Sequence, residues 1–69
     1  MSDQSYILFL QDVLITIHAN IRELKERRNF ADPEELNHIE ARLQVYTEML
    51  SILRSSADEF GIDRSQIGL

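Results

Sequence analysis

Two stretches of the chain carry apolar residues at alternating spacings of three and four. Ile7, Leu10, Leu14, Ile17, Ile21 and Leu24 form the first set; Leu36, Ile39, Leu43, Tyr46, Leu50, Leu53, Ala57 and Phe60 form the second. Such spacing returns each residue to one side of an α-helix, so each stretch predicts a helix with a single apolar seam of the bundle-forming kind. The seams mirror each other about position 30: Leu24 answers Leu36, Ile21 answers Ile39, Ile17 answers Leu43, Leu14 answers Tyr46, Leu10 answers Leu50 and Ile7 answers Leu53. Two mirrored seams joined by one short connection are what an antiparallel hairpin needs. The pattern predicts an all-α fold, a two-helix antiparallel hairpin, in a single domain over residues 1–69.

The helix-breaking residues set the bounds. Pro33 is the only proline, and Gly61 and Gly68 are the only glycines. Helix 1 is expected over about residues 4–28, a loop over 29–32, helix 2 over about 33–60 and a tail over 61–69. Asp32 is placed to cap helix 2. Pro33 sits at the first helical position, where its missing N–H costs nothing, and Glu35 supplies the acid of a capping box. A continuous helix through this point is disfavoured, because Pro33 drives Asp32 away from helical dihedrals. Lys25, Arg27 and Arg28 close helix 1 and Glu34 and Glu35 open helix 2, each matching the local helix dipole. Gly61 is suited to the left-handed position that ends helix 2, with Ile62 folding back near Ala57. In the tail, Asp63-Arg64-Ser65-Gln66 offers the cap of a short turn, but the segment is expected to fray as chain termini do.

A hairpin needs one stripe per helix, and this chain has more. Tyr6, Phe9 and Val13 flank the first seam on one side and Leu8 and Ile15 on the other; between positions 6 and 15 only Gln11 and Asp12 are polar. Val45, Met49 and Ile52 widen the second stripe. Antiparallel packing brings both groups to the open end, away from the loop. One short tail is too little cover for them, and an uncovered apolar patch marks an interaction site. Tyr6, Phe9, Val13, Val45, Met49 and Ile52 are therefore the expected protein-interaction residues, and the expected assembly is a homodimer forming a four-helix bundle.

Size points the same way. A 69-residue chain buries only about 60% of the surface it exposes unfolded. With no cysteine there is no disulfide or thiolate metal site to reinforce it, which leaves self-association or a partner. The net charge of −5 argues against binding phosphate backbones or anionic membrane, both of which call for a surplus of Lys and Arg. The N-terminal Met1-Ser2-Asp3-Gln4-Ser5 lacks the basic region of a secretory signal, and no apolar run is long enough to span a bilayer. A soluble, cytoplasmic protein is expected.

Candidate chemistry changes the picture little. Arg22, Glu23, Lys25, Glu26, Arg27 and Arg28 surround Leu24 at the loop end, where Glu34, Glu35 and Glu40 cancel most of the basic charge. Glu35-Leu36-Asn37-His38 has the Glu-x-x-His spacing of carboxylate di-iron bundles. However, Leu36 and Ile39 hold the seam, so Glu35 and His38 turn toward solvent. His18 stands alone beside Ile17. There is no phosphate-binding glycine loop, and two helices are expected to enclose no cavity of ligand size. No catalytic residue, metal, cofactor or small-molecule substrate is expected.

The segment Leu24-Lys25-Glu26-Arg27-Arg28, then Asp32-Pro33-Glu34-Glu35-Leu36, then Met49-Leu50-Ser51-Ile52-Leu53, within a stretch from residue 10 to about 54, resembles the small co-chaperones of type III secretion needle subunits. The resemblance implies a cytoplasmic adaptor that pairs with a second small helical protein and shields an aggregation-prone secreted subunit. A plasmid RNA-binding regulator shares the hairpin architecture and dimerises into a four-helix bundle, but fold alone does not carry function. That alternative, a dimeric hairpin regulator of nucleic acid, needs a basic and aromatic face, whereas Tyr6 and Phe9 lie far from residues 22–28. The expected function is a non-enzymatic protein-interaction module, an adaptor that is chaperone-like or regulatory and works through an apolar helix face.

Overall fold

The computed structural model describes the backbone of residues 3–69 and the side chains from Gln4 onward. Two long helices, α1 (Asp3–Arg28) and α2 (Pro33–Glu59), pack as the hairpin, and a short third helix, α3 (Arg64–Ile67), packs on both. The molecule measures 46 × 20 × 17 Å.

The loop forms as its residues dictate. The Asn29 and Phe30 amides donate to the Glu26 and Arg27 carbonyls, tightening the last turn of α1. Asp32 is extended (φ −72°, ψ 170°), and its Oδ1 accepts from the Glu35 amide at 2.8 Å. Pro33 follows in the first turn. This cap contributes about 1 kcal/mol, so Asp32→Ala is expected to lower the melting temperature by roughly 4–8 °C without changing assembly. A calorimetric scan checks it; a variant melting with the parent would mean that the cap carries nothing.

At the other end Gly61 is left-handed (φ +68°), the Ile62 amide donates to the Ala57 carbonyl at 2.7 Å, and the Gly61 amide donates to Asp58 at 3.2 Å. These two bonds are the Schellman closure predicted for this position. α2 ends at Glu59, with Phe60 as its C-cap.

The buried core is Leu14, Ile17, Leu50, Ala57 and Ile67, with Leu10, Val13, Ile21, Tyr46, Leu53 and Leu69 packed around it. Leu24 and Ile39 are also buried, nearer the loop. The seams mesh one place later than symmetry about position 30 predicts. Asn20 donates to the Tyr46 hydroxyl at 3.2 Å and Arg28 pairs with Glu40 at 3.3 Å; these pairs are centred on positions 33 and 34. Sliding the second seam by one place sets Leu24 opposite Ile39, Leu14 opposite Leu50 and Ile7 opposite Ala57. Leu24, Ile39, Leu14 and Leu50 are all buried, whereas Leu36 is only half-buried. The cause is geometric. The connection 29–32 is centred just past 30, and side chains lean toward the N-terminus of their own helix, so antiparallel partners meet at later positions. Phe60 is 77% exposed, not a seam residue, because even in this register it lies one place past Ile7, where the first seam begins.

The tail is the second correction. It does not fray: α3 buries Ile67 and half-buries Leu69. Three devices hold it. Asp63 caps α3, accepting from the Ser65 amide at 3.0 Å and its hydroxyl at 2.8 Å. Arg64 grips Asp58 with two hydrogen bonds. Gln11 Nε2 donates to the Gln66 carbonyl at 2.6 Å, and His18 Nε2 lies 3.4 Å from the Gly68 carbonyl. Gly68 (φ +87°) ends the turn, with the Leu69 amide bonded to the Arg64 carbonyl.

The Arg64 hydrogen bond holds the Asp58 carboxyl below its ordinary value, helped by the guanidinium charge. Asp63 is likewise lowered, by the Ser65 hydroxyl and amide. A carboxylate lowered on folding stabilises the fold above its ordinary value and loses that contribution as pH falls through the lowered one. As pH falls from about 4 through the lowered values, the tail's attachment to α1 is therefore expected to weaken while the hairpin persists. The Ile67 methyl resonances, followed by NMR against pH, report it. Native shifts retained down to about pH 2 would show that these carboxylates do not hold the tail.

Candidate interaction surface

The six residues expected at an interface obey one positional rule. Tyr6, Phe9 and Val13 immediately precede Ile7, Leu10 and Leu14; Val45, Met49 and Ile52 immediately precede Tyr46, Leu50 and Leu53. One residue is about 100° of helix rotation, so the preceding position turns to one side of the seam and the following position to the other. In an antiparallel pair the preceding positions of both helices turn to the same broad face. Asn20, Glu23 and Arg42, which also precede seam residues, line one hollow together with Leu24, toward the loop. The following positions face the opposite way, where Gln11 and His18 meet the tail.

This arrangement settles where α3 lies. It covers the Gln11–His18 face at the open end and leaves the other face bare. On that bare face Phe9 and Ile52 are each 65% exposed, and Val45 and Met49 are exposed with them. Val13 is half-buried and packs against the core cluster, so it belongs to both core and surface. Tyr6 is exposed at the edge and also lines a hollow with Leu10, Ile62 and Ile67 beside the tail.

Phe60 extends the strip. Ile52, Ser56 and Phe60 follow one another at intervals of four, and Phe60, which has no counterpart in the first seam, is exposed at the strip's open end. The three-and-four spacing placed it in the seam, and no signal in the second helix alone reveals that the first seam stops short of it. Leu8 and Ile15, which follow seam residues, are also exposed, and Ile15 borders the hollow beside the tail.

Glu35 and His38 are exposed, as the seam places them, and line a shallow surface hollow with Asp32 and Glu34. Among the described residues no three His, Asp or Glu side chains come together as a metal site. Among those residues, too, no helix is long and apolar enough to cross a membrane. The expectation of no sizeable cavity needs revision: an open groove of about 790 Å³ lies between α1 and α2 on the α3 face. Comparison of the chain with family models, with curated proteins and with solved structures gives no match.

Proposed function

We propose that the chain is a non-enzymatic protein-interaction module, a small helical adaptor of chaperone-like or regulatory kind, whose first partner is a second copy of itself. The observation that carries this reading is the uncovered strip of Phe9, Val45, Met49 and Ile52, with Tyr6 and Val13 at its edges, on the hairpin face opposite α3. Among the described residues only seven apolar side chains are buried, a small core for a chain of this length. Full burial of each exposed apolar side chain in the strip adds about 1.5–3 kcal/mol. Two strips laid face to face make a four-helix bundle with a second seam layer, the packing such hairpins use. A nucleic-acid regulator requires cations and aromatics on one face, whereas the loop-end cations lie at the opposite end of the hairpin from Tyr6 and Phe9.

Light scattering at micromolar concentration tests the proposal. The expected mass is twice the 8.1 kDa of the chain. A monodisperse monomer at that concentration sinks the dimer.

A further inference from the structure

The groove on the α3 face differs from the rest of the surface. Its floor is Ile21, Leu43 and Leu50, and its rim carries Lys25, Arg28 and Arg54 against a single acid, Glu40. In a chain of net charge −5, three cations facing one carboxylate mark a local reversal of sign. Arg28 is neutralised by Glu40. Lys25 and Arg54 have neither an ion pair nor a hydrogen bond among the described residues. Arg54 stands out further: of the charged residues whose burial is described, it alone is not exposed. Its aliphatic stem lies along the groove while its guanidinium nitrogens keep access to water, so the charge is held at the groove's edge and open to an acceptor.

The position of the groove indicates the shape of what fills it. The tail lies on the same face, and His18 lines both the hollow beside the tail and the groove. α3 thus supplies one turn of a third helix over the open end, and the groove continues its path toward the loop. From Glu40 to Arg54 the wall runs roughly 21 Å along α2, about four helical turns. Cations sit at both ends, Arg54 at one and Lys25 at the other, with the apolar floor between them.

We propose that this groove is a docking site for an amphipathic helix of a partner protein that carries acidic residues at both ends of a short apolar face. The apolar face lies on Ile21, Leu43 and Leu50, and the acids reach Arg54 and Lys25. The site lies on the hairpin face away from the self-association strip, so both can be filled at once. An adaptor with one face for itself and one for a client has separate surfaces for the two tasks.

The probe is a synthetic helical peptide about five turns long, with leucines at spacings of three and four along one face and glutamates flanking them at both ends. A second peptide carries lysine in place of each glutamate. The acidic peptide is expected to bind and to shift the methyl resonances of Ile21, Leu43 and Leu50, with affinity falling as salt rises. The lysine peptide is expected to bind at least about tenfold more weakly. Arg54→Met, which keeps the aliphatic stem, and Lys25→Met, at an exposed position, are each expected to weaken the acidic peptide about tenfold while leaving helicity and oligomeric mass unchanged. The proposal is overturned if neither peptide binds, if both bind equally, if neither substitution weakens binding, or if the shifts fall on Phe9, Val45 and Ile52 instead. Tighter binding of a single-stranded RNA oligonucleotide than of the acidic peptide also overturns it. Because mass is measured alongside, failure of the groove and failure of the dimer are read separately.

Discussion

Phe9→Arg and Ile52→Arg are expected to yield a folded monomer. Both side chains are 65% exposed in the single chain, so replacing them removes little from the hairpin's own packing. In a dimer built on the strip, each introduced guanidinium either loses its water against apolar neighbours without a partner or holds the two faces apart. The cost is several kcal/mol; about 4 kcal/mol is roughly a thousandfold in Kd. By symmetry each substitution enters the interface twice. Helicity should be retained, because neither residue contributes to the buried core. Arg27→Glu, at the loop end, should leave mass unchanged, since it lies well away from the strip. Arg28→Glu removes the Glu40 pair, yet an exposed pair of that kind contributes only about 0–1 kcal/mol. Measuring mass and circular dichroism for the four variants together decides the matter. If the strip variants remain dimers while the loop-end reversals dissociate, the interface lies at the other end of the molecule.

The same comparison bears on Phe60. If Phe60 belongs to the strip, Phe60→Arg joins the monomeric group; a residue of the hairpin seam would instead lose helicity. This residue also shows where sequence reading stops. Two seams, the loop between them, the Asp32 cap and the Gly61 closure were all legible, because each is written in local spacing or in a residue with special backbone chemistry. The surplus strip was legible for the same reason: it repeats one position ahead of each seam. What spacing does not carry is the relation between the helices. The mirror about position 30 assumes that side chains stand straight out from their helices, and they do not. Phe60 is exposed for a simpler reason: the first seam begins at Ile7 and has no residue to meet it in either register.

The tail was illegible for a different reason. Its apolar residues Ile62, Ile67 and Leu69 are too few to show a period, and its anchors, Gln11, His18 and Asp58, are distant in sequence. Asp63 is legible as a cap, but the docking depends on the Arg64–Asp58 pair and on a hollow over Leu14. The groove is not written along the chain because it exists only between two elements. Its cations are scattered over positions 25, 28 and 54, and along the chain each reads as ordinary surface charge.

Leu14→Ala is expected to be the most damaging single truncation in the core. Leu14 is 2% exposed, the most deeply buried large side chain among the described residues, and it sits where the three helices meet. Its Cβ lies 4.0 Å from where a side chain on Gly68 would begin, so the tail closes directly over it. The cavity left by truncation is walled by three elements and cannot collapse without moving one of them, which places the loss in the range of about 2–5 kcal/mol. Against a total of roughly 0.05–0.15 kcal/mol per residue, that is a large share of the stability of a chain this small. Leu43→Ala is the informative contrast. Leu43 is half-buried and borders the open groove, so its cavity is partly solvent already and the loss should be about half as large. Urea unfolding at one fixed protein concentration gives both values, read from the midpoints with the slope held common. Symmetry about position 30 would place Leu43 against Ile17, deep in the core, and make the two truncations equally severe. Equal losses would therefore restore that register and remove the groove's apolar floor along with it.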